Sequence, residues 1–221
     1  MKEKYAKELK EILSCVNIEI TWKGIRDSSD FEEYVVNPFK EKYKHPFKWD
    51  SGASKGVLVF ADLGFVLKIP FHIIDEDYYY DDDYEETDSI DYCALEADFY
   101  YQAKKIGLGD VFAQTEYVTM FDGDCPIYIQ EYVESRKIDE DNCIYTEKDK
   151  ETVNSLNETE FYDDDIDVEW EAELLAQKGL SYYRKFKKFV FEHDINDLRY
   201  FDNIGYIGGR PICFDFSGYH S

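Results

Sequence analysis

Hydrophobic positions at the start of this chain follow a helical period. Tyr5, Leu9, Ile12, Leu13 and Val16 fall on one face, which predicts an amphipathic helix over residues 2–16. A second helix is predicted over residues 29–43, opened by Ser28 or Ser29 as a cap with Glu32 or Glu33 three to four residues on. Asn37-Pro38 interrupts or bends it, because proline removes a donor and crowds the preceding turn.

From Phe47 the period becomes that of strands. Residues 47–50 form a short run, and Val57-Leu58-Val59-Phe60 and Phe65-Val66-Leu67-Lys68-Ile69-Pro70 predict a hairpin around Ala61-Asp62-Leu63-Gly64. Residues 75–88 hold nine carboxylates and four tyrosines among fourteen positions, and like-charge repulsion predicts an exposed loop. A helix is predicted over residues 91–106, with Leu95, Phe99, Ala103 and Ile106 in register and Gly107 and Gly109 ending it. Residues 115–120 and 127–133 read as strands around Phe121-Asp122-Gly123-Asp124. Residues 135–167 are polar and acidic, with a second carboxylate run from position 157. One long helix is predicted over residues 168–191, burying Trp170, Leu174, Leu175, Tyr182, Phe186 and Phe189. Strands at 204–207 and 211–214 close the pattern around Gly208-Gly209, a two-residue turn signal. The order predicts an α+β chain.

Composition changes the picture in three ways. The chain has 221 residues, enough for one domain of two lobes or two small domains, and its 44% hydrophobic content supports a sizeable core. The net charge of −24 argues against direct nucleic-acid binding, which needs a basic footprint, and is compatible with a basic protein partner engaged through the acidic segments. Five widely spread cysteines without a C-x-x-C pair fit a reducing, cytoplasmic compartment. The charged N-terminus does not read as a signal peptide, and no apolar run approaches the roughly 20 residues that span a bilayer.

Three segments carry candidate chemistry. Gly52-Ala53-Ser54-Lys55-Gly56 joins two strands with small residues, which lets backbone N–H groups approach phosphate oxygens. It is not a P-loop, since no Lys-Ser/Thr pair leads into a helix. Lys68 lies among alternating apolar residues on a strand, so its ammonium needs an anion. Glu96 on the following helix is the expected partner, with Asp98 as the fallback. The third segment places Asp197-Leu198 after the long helix, Asn203 before a hairpin, and Asp215 at its end. A carboxylate and an amide oxygen across such a hairpin suit Mg²⁺, and Asp197 suits orientation or deprotonation of an acceptor hydroxyl. The four histidines have no metal-ligand spacing, and His193 at a helix end reads as structural.

In this order the segments resemble the protein-kinase-like fold. The chain looks like the small kinase-like proteins of phages and bacteria, over residues 47–218. The resemblance implies a minimal bilobal α+β fold. Residues 1–46 would be an N-terminal helical extension. Residues 47–133 would form an N-lobe carrying the acidic insert 75–88, and 134–221 a truncated C-lobe. It implies ATP with Mg²⁺ between the lobes, the loop 52–56 and Lys68 on phosphates, and Glu96 paired with Lys68. Glu131 and Val133 would lie in a hinge facing adenine, with Asp197 in the catalytic-base position and Asn203 and Asp215 on the metal. Several features depart from the family pattern. The loop has one residue too many between Asp197 and Asn203, so it bulges or Asp202 takes the asparagine role. Arg199 stands where a lysine or histidine is common, and the third loop glycine is missing. The chain stops at Ser221 before any activation segment. The alternative is therefore a phage or mobile-element pseudokinase, in the bacterial host cytoplasm, that inhibits a basic, nucleic-acid-binding host protein.

Overall fold

Leu9 and Ile12, the buried stripe expected of the first helix, lie inside α1 (Ala6–Cys15). The second helix opens one residue earlier than expected. Asp27, rather than Ser28 or Ser29, is its cap, and its carboxylate accepts the backbone N–H groups of Ser29 (2.8 Å) and Asp30 (2.9 Å). The helix then runs as α2 (Ser28–Phe31), one π-helical turn (Glu32–Val36) and α3 (Asn37–Lys42). The widened turn ends where Pro38 removes a donor, so the proline is absorbed without breaking the axis. The computed structural model describes residues 1–16, 21–73, 90–121, 124–134, 143–161 and 166–217. The acidic insert 75–88 lies outside the described residues, as does Gly218.

The chain divides into two units. Unit 1 comprises residues 1–95 and 115–130, and unit 2 residues 96–114 and 131–221. Unit 1 is built on a five-stranded sheet, in the order β1 (Lys48–Ser51), β2 (Lys55–Phe60), β3 (Phe65–Pro70), β5 (Cys125–Glu131) and β4 (Thr115–Phe121). The described pairings are antiparallel, and the chain is α+β. Period-two alternation sorts the strands into two faces. Leu58, Phe60, Phe65, Leu67, Ile127 and Ile129 join Leu9, Ile12, Phe31, Val35 and Phe39 in one core. The N-terminal helices expected as an extension therefore share the sheet's core, and they belong to unit 1.

Between β3 and β4 runs α4 (Tyr92–Lys105). Its buried stripe is Cys93, Glu96, Tyr100 and Ala103, one position displaced from the expected face, and Ile106 is exposed. In unit 2, α5 (Glu147–Leu156) forms inside the stretch that reads as acidic and polar. A reciprocal capping box between Thr146 and Asp149 starts it. The single helix expected over 168–191 is two, α6 (Val168–Lys178) and α7 (Leu180–Glu192), because Gly179 takes φ +81° and ends the first. As a result Tyr183, and not Tyr182, is the fully buried ring. Trp170, Tyr183, Phe186, Phe112 and Phe216 centre the unit 2 core. The closing hairpin is β6 (Ile204–Ile207) and β7 (Arg210–Cys213), turning at Gly208 and Gly209 with φ +56° and +76°.

A buried ion pair crosses this second core. Lys187 Nζ lies 3.0 Å from Glu171 Oε1, with side chains 1% and 0% exposed. Asn157 Nδ2 (2.8 Å) and the Tyr183 hydroxyl (2.9 Å) also donate to the Glu171 carboxylate. Burial pushes the Glu171 carboxyl above its ordinary value, against the pull of the Lys187 ammonium. Removing one partner alone strands a buried charge. Lys187→Met should therefore cost about 3–5 kcal/mol in urea unfolding, and Lys187→Met/Glu171→Leu should recover a large part of that loss.

Near the start of the same unit, Lys178 Nζ and the Tyr182 hydroxyl both lie 2.5 Å from the Asp110 carboxylate. Burial raises this acid, but the lysine and the hydroxyl outweigh it and hold Asp110 below its ordinary value. A lowered carboxyl adds stability above the unfolded value of about 3.9 and loses it as pH falls through the folded one. Asp110→Asn should thus flatten the pH dependence of the melting temperature below about pH 4, while wild type loses stability there.

Candidate functional site

The glycine-containing loop is a tight β1–β2 connection. The Gly52 N–H donates to the Lys55 carbonyl (3.0 Å), and the Phe71 N–H donates to the Ser54 carbonyl (2.8 Å). Gly52 and Ala53 are exposed at its tip, whereas Ser54, Lys55 and Gly56 are buried. The reason for glycine at position 56 is packing. A Cβ there would lie 2.4 Å from the Phe31 ring. The Ser28 and Ser51 hydroxyls meet at 2.6 Å beside it. The helix starting at Ser28 therefore braces the loop from the apolar face, and the backbone open to a ligand is that of Gly52 and Ala53.

The other sheet face carries buried polar groups among Val57, Val59 and Val66. Lys68 on β3 is 3% exposed and sits opposite Val57 on β2, and Lys55, two positions along from Val57, shares its face and its 3% exposure. Two ammoniums this deeply buried require anions nearby. Asp91 supplies one. Its carboxylate accepts the Ala94 N–H (2.9 Å), capping α4, and the Tyr128 hydroxyl (2.6 Å). Burial raises the Asp91 carboxyl, with Tyr128, backbone donors and Lys55 pulling the other way. Burial and Asp91 together push the Tyr128 hydroxyl strongly upward.

In unit 2, hydrogen bonds at the base of the closing hairpin connect the segments that carry Asp197, Asn203 and Asp215. Asp197 lies in a 3-10 turn (Asn196–Arg199), 7% exposed, with Leu198 fully buried beside it. A second 3-10 turn (Phe201–Asn203) follows. The Tyr200 N–H donates to the Asp197 carbonyl (3.1 Å), and the Asn203 N–H to the Tyr200 carbonyl (2.9 Å). Asn203 Nδ2 then donates to the same Asp197 carbonyl (2.8 Å). The Phe214 N–H donates to the Asn203 carbonyl (3.0 Å), which carries the hairpin ladder one rung further and sets half-buried Asp215 just past it. The Ser217 hydroxyl reaches Asp197 Oδ2 at 3.4 Å. Asp202 is exposed.

The remaining expected residues have these places. Glu96 is fully buried on α4 in unit 2, and Asp98 is exposed and accepts from Gln102 (2.6 Å). Glu131 ends β5, where its carboxylate accepts the Gln114 N–H (2.9 Å) and its own N–H donates to the Gln114 carbonyl (3.2 Å). Val133 is half-buried. Among the described residues no three His, Cys, Asp or Glu side chains cluster closely enough to hold a metal. Asn203 and Asp215 nevertheless offer two hard oxygens of the kind Mg²⁺ takes when phosphates complete its shell. The amide fits this role, because its nitrogen is committed to Asp197 and its oxygen is left as an acceptor. Sequence reasoning missed Asp91, Phe31 and Ser217. An Asp directly before a helix is a cap signal, and Ser217 stands inside the quoted Asp-Phe-Ser-Gly, but nothing in the sequence signals Phe31.

No known protein family, curated protein or solved structure matches the chain. The brace on the loop has a direct test. Gly56→Ala should destabilise by about 1–3 kcal/mol in thermal or urea unfolding through overpacking against Phe31. In the Phe31→Ala background, the added methyl group should cost much less, which a double-mutant cycle measures.

Proposed function

We propose that this chain is a kinase-like protein that binds ATP with Mg²⁺ and transfers phosphate to a hydroxyl of a protein or small molecule. The observation that carries the reading is the double tie at Asn203. Its side-chain amide holds the Asp197 carbonyl and its own carbonyl holds the Phe214 N–H, so Asp197, Asn203 and Asp215 are supplied by one hydrogen-bonded hairpin base. Lysine on the third strand of a sheet and a buried glutamate on the next helix support the same reading.

In this reading Lys68 neutralises phosphate charge, and Glu96 is the buried carboxylate of the following helix. The exposed backbone of Gly52 and Ala53 approaches phosphate oxygens, and the segment from Glu131 to Val133 meets the base through its backbone. Asn203 and Asp215 would hold Mg²⁺, which would supply positive charge against the phosphates. Asp197 orients the acceptor hydroxyl and takes its proton, and the Asn203 and Tyr200 ties fix its backbone.

One observation favours a nucleotide binder that transfers slowly or not at all. Asp197 is 7% exposed, with the Ser217 hydroxyl 3.4 Å from one of its carboxylate oxygens, which leaves an acceptor little room to reach it.

Thermal shift with ATP plus Mg²⁺ or Mn²⁺ separates these outcomes. A ligand at 100 times its Kd stabilises the folded state by about 2.7 kcal/mol, which is several degrees for a chain of this size. Wild type should gain that shift, and Lys68→Ala and Asp215→Ala should lose most of it. No shift for wild type with either metal rejects nucleotide binding. A shift without ADP formation, unchanged in Asp197→Asn, selects the binding-only version.

A further inference from the structure

Away from the nucleotide reading, and resting on no part of it, unit 1 carries a separate cavity of about 270 Å³. It is slightly smaller than the roughly 300–1,000 Å³ of pockets that take whole small-molecule ligands, and it suits one long side chain. Its floor is apolar, made by Ile12 of α1, Phe60 at the end of β2, and Leu63 of the turn that follows. Its rim is acidic, with Glu8 and Glu11 from α1 and Asp62 from that same turn.

Two details tell what such a site accepts. The rim already holds a basic ring, since His45 Nε2 lies 3.3 Å from Glu11 Oε1, and both side chains are largely exposed. An aromatic wall stands beside the carboxylates, with the Tyr43 ring edge-on to Phe60 at 5.6 Å. The Tyr43 hydroxyl is raised by burial and then by Glu11, so the field of that carboxylate reaches into the cavity. Three carboxylates face one imidazole in the lining, on a chain of net charge −24. An apolar floor, aromatic wall and carboxylate rim match an arginine side chain. Its stem packs on carbon, its guanidinium plane faces rings, and its fork binds carboxylates two oxygens at a time.

We propose that this cavity docks an arginine of a basic protein segment, and that long-range attraction to the acidic chain brings the segment there. The probe is fluorescein-labelled nona-arginine, followed by anisotropy in 150 mM salt with the full chain. Glu8→Lys/Glu11→Lys/Asp62→Lys should weaken binding by at least about tenfold, as expected for losing several ion pairs at one site. A control with the same change in net charge, Glu33→Lys/Glu151→Lys/Glu192→Lys, should weaken it by less than about threefold. Equal losses in the two variants overturn the proposal, because binding then follows total charge and not the cavity. Nona-lysine bound as tightly as nona-arginine also overturns it, since the site then selects any cation. If the lysine triple variant unfolds, Glu8→Gln/Glu11→Gln/Asp62→Asn decides. It should lose several-fold in affinity at an unchanged melting temperature, and unchanged affinity rejects the site.

Discussion

A charge taken out of water must find its opposite, and the unit 2 core is arranged around that requirement. Glu171 and Lys187 lie on successive helices, fully buried and 3.0 Å apart. Glu171 also accepts from Asn157 and Tyr183, so each carboxylate oxygen has a donor. The pair meets only because Gly179 ends α6 and lets α7 start in a new direction. One uninterrupted helix would keep positions 171 and 187 more than four turns apart. Two residues along α6, Glu173 is equally buried and accepts the Ile144 and Tyr145 N–H groups, which fastens the segment leading into α5.

The same rule divides the sheet of unit 1. Its apolar face needs only shape, which the N-terminal helices supply with Phe31, Val35 and Phe39. The opposite face carries Lys55, Lys68, Asp91 and Tyr128, where each polar atom must be accounted for. This asymmetry gives the glycine loop its form. Phe31 presses on it from the apolar side and leaves no room for a Cβ at Gly56, while Lys55 points to the charged side. A loop held in this way has two exposed residues rather than a long flexible flap.

What the sequence made legible follows from which forces act locally. Period and turn chemistry reveal the β2–β3 hairpin, the helix of residues 92–105 and the Gly208-Gly209 turn, because neighbouring residues decide those features. Distant packing decides the features that were not legible. Gly179 reads as one tolerable glycine in a helical pattern until the Glu171–Lys187 pair requires a break there. Thr146 and Asp149 form a readable capping box, yet the surrounding acids hide α5, whose sole fully buried apolar side chain is Val153. On α4, Ala103 and the core-facing Glu96 are legible, whereas Cys93 and Tyr100 replace Leu95 and Phe99 in the buried stripe because distant packing sets the rotation of the helix. Among the candidate site residues, Asp197, Asn203 and Asp215 can be picked out by their order, whereas the bonds that tie their backbones together are not specified by spacing.

The loop from Asp197 to Asn203 shows how hydrogen-bond chemistry chooses between two neighbours. By spacing, Asp202 and Asn203 both qualify to stand six or fewer positions after Asp197. A carboxylate has only acceptors at neutral pH, so Asp202 could not tie down the Asp197 carbonyl. The Asn203 amide has both kinds of group, and its nitrogen makes that tie at 2.8 Å. Two consecutive 3-10 turns shorten the path enough for it to reach, with Tyr200 bonded at both ends to hold the curvature. The turns direct Arg199, Tyr200, Phe201 and Asp202 outward, which leaves Phe201 70% exposed while Leu198 stays in the core. The loop therefore places its intervening residues at the surface, and the tie between Asp197 and Asn203 is kept.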